Sequence, residues 1–253
     1  MDSNSLAGII NSLYGFVKRT RFEESFNFDS LIDKRFSKVI PQLMNYCDIA
    51  SIALCATNGK KTTLDFLRNI FEQSKHSTLV NVDENSNLKP ALTWILLNLA
   101  KDNRGSLKDY FLLGFDEQEL EKYSSMMNFN YILLHNLFID QKDFYSLAEK
   151  KEKIRNAIID NPNAKLIINA DEAMYFNLFE ANDIAYKRIK KIYYGFENIE
   201  FYDKPLETMQ DNDLIKCPMC NSALDYDERF YSHLGHYNCA CGFKRPEDRK
   251  STR

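Results

Sequence analysis

Two groups of residues in this chain have the types and spacing to do chemistry. The first is a quartet of thiols near its end. Cys217 and Cys220 are separated by two residues, Cys239 and Cys241 by one, and 18 residues lie between the pairs. Two knuckles that each present a pair of thiolates to one metal are the donor set of a zinc ribbon, although the second pair is one residue tighter than the usual gap. Gly242 frees the backbone there to turn N–H groups toward sulfur. The expectation is a structural Zn2+ held by Cys217, Cys220, Cys239 and Cys241, against the alternative of four free or oxidised thiols. Four thiolates close the tetrahedron and leave no position for catalysis. His233 and His236 read as polar residues of the intervening hairpin, or as substitute ligands.

The second group lies where an apolar run, Ser51 to Ala56, breaks into Thr57, Asn58, Gly59, Lys60, Lys61, Thr62 and Thr63, with a helix restarting near Leu64. A strand feeding such a loop and then a helix N-terminus turns backbone N–H groups and a positive dipole end toward one point, where a polyphosphate can sit. The full Walker pattern asks for a Gly five residues before the Gly-Lys pair and a Ser or Thr after the Lys; Leu54 and Lys61 hold those places. Taken alone, the loop reads equally well as a phosphate site or as an ordinary strand-to-helix turn with two solvated lysines.

The elements that must position these groups alternate. An amphipathic helix opens the chain over 1–19 with Leu6, Ile9, Ile10, Leu13, Phe16 and Val17 at helical spacing, and a second helix spans 36–47. After the loop come a helix to about Gln73, a strand over 77–81, a helix over 88–100 containing Trp94, and a strand over 109–114. The acidic run 116–121 reads as a solvated helix face. A strand over 130–135 exits into a polar turn at Asn136, a helix runs from about Asp143 to Ile159, and a strand over 165–169 exits at Asn169, Asp171 and Glu172. The last strand is expected over 189–195. Such alternation predicts an α/β fold, a parallel sheet with helices on both faces. Ligands collect beyond the carboxyl ends of such strands, so the loop at 56–62, Asn136, Asn169 and Asp171 should share one edge. The expected divisions are an N-terminal helical segment over 1–44, a nucleotide-binding domain over 45–210, the ribbon over 211–247 and a tail over 248–253.

With 253 residues, 44% hydrophobic and 27% charged, the chain can bury a substantial core, which excludes a disordered or fibrous protein. A formal charge of -3 provides no basic field for nucleic acid, which disfavours a zinc-ribbon nucleic-acid binder. The longest apolar stretch, Ala91 to Ala100, is too short to cross a bilayer, and no apolar signal core precedes it. A cytoplasmic protein is expected, not an integral membrane one.

These pieces resemble the central domain of the Mur ligases, most closely its MurT branch. Thr57, Asn58, Gly59, Lys60 and Thr62, with Ala56 in place of the leading Gly, match the family's phosphate loop Gly-Thr-Asn-Gly-Lys-Thr-Thr. Asn136, Leu137, Phe138, Asp140, Gln141, Asp143 and Tyr145 match a second segment. Asn169 to Glu172 resemble Asn-Ala-Asp-Asp, which approaches adenine and ribose, and Tyr193 to Glu197 follow the family pattern. Tyr231 to Tyr237 and Cys241 to Arg245 match the ribbon that sets MurT apart.

The resemblance implies an ATP- and Mg2+-dependent amide ligase subunit of peptidoglycan synthesis, amidating the stem-peptide glutamate of lipid II with a GatD-like glutaminase partner. ATP phosphorylates the carboxylate, and ammonia displaces phosphate from the acyl phosphate. Lys60 would neutralise the β- and γ-phosphates and is the candidate catalytic residue; Thr57, Asn58, Gly59, Thr62, Asn136, Asn169 and Asp171 would bind nucleotide. Four further positions depart from the pattern. Lys61 replaces the Thr whose hydroxyl meets magnesium, Gly114 replaces a Glu that helps hold it, and Ile139 and Leu147 replace an Arg and a Glu. The sequence also stops past the ribbon, short of the family's C-terminal ligase domain. These departures motivate the alternative expectation of a non-catalytic Mur ligase relative acting as a binding or scaffold protein.

Overall fold

The structure, a computed structural model, describes residues 50–80, 109–125, 127–138, 145–179, 187–197 and 216–247. The helices expected over 1–19, 36–47 and 88–100, together with Ile139, Asp140, Gln141, Asp143 and the boundary near 210, lie outside the described residues. Contacts divide the chain into two units. Among the described residues the first holds 50–52, 61–80, 109–114, 125 and 127–128, and the second holds 53–60, 115–124, 129–138, 145–179, 187–197 and 216–247.

In the first unit, strand β1 (Ala50–Ala56) begins with the Ala50 N–H donating to the Asp109 carbonyl at 3.2 Å. Helix α1 (Lys60–Gln73) buries Leu64 and places the Phe71 ring 4.5 Å from that of Tyr110. Strand β2 (Thr78–Val80) runs parallel to β3 (Tyr110–Phe115), with Thr78 opposite Tyr110. The Asp109 carboxylate fixes the entry to β2 by accepting from the Ser77 N–H at 2.7 Å and its hydroxyl at 3.0 Å.

In the second unit the remainder of β1 is followed in sheet order by β4 (Tyr131–Asn136), β5 (Lys165–Asn169) and β6 (Lys191–Tyr194). β4 and β5 are parallel with Leu134 opposite Ile168, and β5 and β6 are parallel with Asn169 opposite Tyr194. Ala53, Leu54, Cys55 and Ala56 are all fully buried, as the near-continuous apolarity of a sheet interior requires. Helix α2 (Glu117–Ser124) packs beside α3 (Leu147–Asp160), joined by Lys153 to Glu121 at 3.0 Å and Ser124 to Asp160 at 2.8 Å.

Two helix starts differ from the sequence expectation. α1 begins at Lys60, not near Leu64, because Gly59 takes φ +75° and completes the turn at once. α3 begins at Leu147, four residues later than Asp143. Ser146 and Glu149 close a capping box there, the Ser146 hydroxyl accepting from the Glu149 N–H at 3.3 Å while Glu149 accepts from the Ser146 N–H at 2.7 Å.

The cysteine region carries strands β7 (Asp225–Tyr231) and β8 (Leu234–Asn238), an antiparallel pair with two register shifts and a turn through Ser232 at φ 53°. A Cβ at Gly235 would lie 2.2 Å from the Glu228 carbonyl oxygen, so only glycine permits this close crossing. Cys217, Leu224, Tyr237 and Cys239 form a small apolar core with Ala173 of a short 3-10 helix (Ala173–Asn177). The hairpin is therefore built onto the exit of β5.

Candidate functional site

The loop at 57–60 is shaped from below by the exit of β4. The Thr57 N–H donates to the Asn136 carbonyl at 3.2 Å. The Asn136 side chain then clasps Asn58 from both sides, accepting from its N–H at 3.0 Å and donating to its carbonyl at 2.9 Å. The Thr57 hydroxyl accepts from the Phe138 N–H at 3.0 Å and has one proton to give to Glu117 Oε1 at 3.1 Å or the Phe138 carbonyl at 3.4 Å. Beyond Gly59, Lys60 opens α1. The first N–H groups of a helix have no acceptor within it, an arrangement suited to phosphate oxygens.

Glu117 corrects the reading of 116–121 as a solvated face. It is buried at 6% exposure, whereas Gln118 beside it is exposed. Burying a carboxylate needs a countercharge and hydrogen bonds. Lys150, itself 3% exposed, places its Nζ 4.0 Å from Glu117 Oε2 and 3.0 Å from the Phe138 carbonyl. Burial pushes the Cys55 thiol up from its ordinary range, with the Glu117 carboxylate adding to the effect, so Cys55 is an inert thiol under the loop.

At the end of β5 the Asn169 amide donates to the His135 carbonyl at 2.9 Å and its oxygen accepts from the Asp171 N–H at 3.0 Å. Asp171 is 2% exposed, and both of its carboxylate oxygens are engaged: Oδ1 accepts from Arg245 Nε at 2.7 Å, Oδ2 from the Phe196 N–H at 3.0 Å. Burial pushes its carboxyl up against the opposing pull of these donors. Glu172, fully buried, accepts from the Leu137 N–H at 3.1 Å and contacts His233 Nε2 at 2.7 Å.

Thr57, Asn58 and Asn136 are thus joined directly. Leu137 and Glu172 then link the β4 exit to the β5 exit, where Asn169 and Asp171 lie. Thr62 stands exposed in the first turn of α1. The side chains of Asn136, Asn169 and Asp171 are committed to protein partners in this arrangement. Glu117, Lys150 and Arg245 are members that sequence reasoning did not single out; Glu172 was read only as part of the strand exit, and His233 only as a hairpin residue or substitute ligand. The partners that tie them into the site are 12 to 74 residues away, beyond the reach of local periodicity.

The four thiols of the ribbon converge. The sulfurs of Cys217, Cys220, Cys239 and Cys241 all lie within 4.8 Å of one another, with Cys217 to Cys241 at 3.7 Å and Cys220 to Cys239 at 3.5 Å. A tetrahedral thiolate site with metal–sulfur bonds of about 2.3 Å has sulfur–sulfur edges of roughly 3.8 Å, so the donor set fits such a metal. Gly242 at φ 91° and Asn221 at φ 63° turn the two knuckles, and the Met219 N–H lies 3.4 Å from Cys217 Sγ. His233 and His236 are bound elsewhere, His233 to Glu172 and His236 Nε2 to the Phe196 carbonyl at 2.6 Å. Tyr237 donates its hydroxyl to the Ala170 carbonyl at 2.9 Å. The histidines and tyrosine of the hairpin fasten it to the β5 and β6 exits.

No protein-family model matches the chain. Over 198 residues, 78% of its length, the chain is 25% identical to the MurT subunit of lipid II isoglutaminyl synthase (glutamine-hydrolyzing) from Staphylococcus aureus strain COL, with the same figures for strain N315. The match covers 42% of the S. aureus subunit, so the chain spans about two fifths of the length of these curated relatives. Among solved structures, a pseudomurein peptide ligase type C from Methanothermus fervidus superposes with a TM-score of 0.60 at 24% identity, over 82% of this chain and 38% of the other. A UDP-N-acetylmuramoyl-L-alanyl-D-glutamate–2,6-diaminopimelate ligase does so at 0.51 and 18% identity, over 66% and 37%. The likeness to these two structures is one of α/β fold. The chain is a relative of the Mur ligases, close to MurT.

Proposed function

We propose that this chain is the nucleotide-binding part of a MurT-like amide ligase subunit, taking ATP with Mg2+ on the loop at 57–60 and working with a glutaminase partner on the stem-peptide glutamate of lipid II. The observation that carries the reading is the clasp of Asn58 by Asn136, which fixes the turn leading to Lys60 at the carboxyl ends of β1 and β4. Lys60 is the group that neutralises phosphate charge as it builds during transfer to the carboxylate. Thr57, Asn58, Gly59 and Thr62 belong to the phosphate site, with Asn136 shaping it and Asn169 and Asp171 framing the adjacent β5 exit. The ribbon thiols hold Zn2+ as a structural metal. Among the described residues no helix is long and apolar enough to cross a membrane. We place the protein in the cytoplasm, where ATP is available, and retain the division into a nucleotide-binding domain over 45–210 and a ribbon over 211–247.

Lys61, exposed on the first turn of α1, favours a second reading. It puts a cation where the family has a hydroxyl beside magnesium, and buried Gly114 stands where the family has a metal-binding Glu. On this reading the chain is a non-catalytic relative that binds without turnover. Thermal unfolding with ATP and magnesium, and again with EDTA, tests both. The ligase reading predicts a magnesium-dependent stabilisation of about 2.7 kcal/mol at ATP a hundredfold above Kd. Stabilisation indifferent to EDTA favours the second reading, and no shift at millimolar ATP contradicts the ligase reading and leaves only a scaffold role.

A further inference from the structure

The ribbon and the phosphate loop meet through one carboxylate. Glu172 Oε2 is fully buried and is shared between His233 Nε2 at 2.7 Å, on the hairpin turn, and the Leu137 N–H at 3.1 Å. Leu137 follows Asn136, whose side chain clasps Asn58. Phe138, next along, donates its N–H to the Thr57 hydroxyl and places its ring 4.9 Å from the His233 ring, edge to face. His233 therefore supports the β4 exit twice, once through Glu172 and once through Phe138. It sits in the turn between β7 and β8, a hairpin whose ends are drawn together by Cys220 and Cys239.

We propose that His233 is a positioning residue for the phosphate loop. Through Glu172 and Phe138 the ribbon holds the β4 exit in the shape that sets residues 57–60, so the state of the thiolate site governs the loop's order and its affinity for a nucleotide. The dependence on the thiolate site rests on the metal reading above and the statement about affinity on the nucleotide reading as well; the link from His233 to loop order rests on neither. With His233 removed, the buried Glu172 carboxylate keeps only backbone partners. The reorganisation that compensates for this acts on the residues it shares with the loop.

The test is amide hydrogen exchange on the zinc-loaded full chain, comparing peptides that cover 57–60 and 137–138 with peptides of α3, and metal content measured in parallel. His233→Ala is expected to speed exchange of the Asn58 and Leu137 amides about tenfold, with α3 and metal content unchanged. His233→Gln, whose amide can donate to Glu172, is expected to restore protection, and chelator-treated wild type is expected to match His233→Ala. Wild-type protection at Asn58 and Leu137 in His233→Ala would overturn the proposal. If that variant does not fold, unchanged protection in chelated wild type overturns it equally. Affinity for a fluorescent ATP analogue should fall by the same factor as protection. If wild type binds no analogue while exchange responds as stated, the coupling stands and the nucleotide reading fails.

Discussion

Asp171 and Arg245 show how one residue's role depends on a partner far away in sequence. Arg245 is 8% exposed at its side chain, with Nε on Asp171 and Nη1 on Glu197 at 3.0 Å. A planar guanidinium reaches both acceptors at once, which a lysine ammonium cannot do in the same geometry. Removing one partner of a buried pair strands the other charge, so Arg245→Ala should lower stability by roughly 3–5 kcal/mol in urea unfolding, with Arg245→Lys recovering part of it. A loss within about 0.5 kcal/mol would show that the pair is solvated in solution. Gly195 belongs to the same arrangement, since a Cβ there would meet Arg245 Nη2 at 2.5 Å and Asp171 Oδ1 at 2.8 Å. The motif at 169–172 was visible in the sequence as a polar strand exit. Its engagement by the ribbon was not, because Asp171 and Arg245 are 74 residues apart and nothing in local spacing reports such a pair.

Among the elements, β1, α1, β4 and β5 were legible because apolar runs of strand length, broken by Gly59, Asn136 and Asn169, encode both burial and ending. Helix starts were less so. Periodicity reports a face, while the first residue of α3 is set by the Ser146–Glu149 cap, a reciprocal hydrogen bond that polar residues disclose only once paired. The end of that helix depends on Asn161, buried at 4% exposure, which donates to the Ser124 and Ala157 carbonyls at 3.1 Å each and accepts from the Phe129 N–H at 2.8 Å. One side chain thus satisfies the ends of α2 and α3 and the approach to β4. Asn161→Ala should cost about 1–3 kcal/mol in chemical denaturation, because it leaves those buried backbone groups without partners. A cost near zero would mean that water replaces the amide. Glu117 was hidden for a related reason: within a run of acids, composition cannot tell which member turns inward, and Lys150 supplies the countercharge from another helix.

Across the molecule as a whole, acid sensitivity should trace in part to His135, whose Nδ1 lies 2.6 Å from the Tyr194 hydroxyl. Burial holds its imidazole below the ordinary value of about 6.5, so the folded state keeps it neutral while the unfolded chain takes up a proton. The unfolded state then binds more protons as pH falls below about 6.5, and stability should drop through that range; His135→Gln should flatten the slope between pH 7 and pH 5. An unchanged slope would assign the acid loss to other groups. The site as a whole was legible to the extent that it lies at strand ends, and illegible where the ribbon enters it, since the hairpin's histidines resemble ligands in sequence and serve as fasteners in the fold. The central claim is that residues 57–60 receive a nucleotide's phosphates with Lys60 above them. Calorimetric titration of ATP into wild type and Lys60→Ala, both with magnesium and zinc-loaded, tests it most directly. The account predicts one saturable site in wild type and at least about tenfold weaker binding in the variant; equal binding in the two proteins, or none in wild type at millimolar ATP, contradicts it.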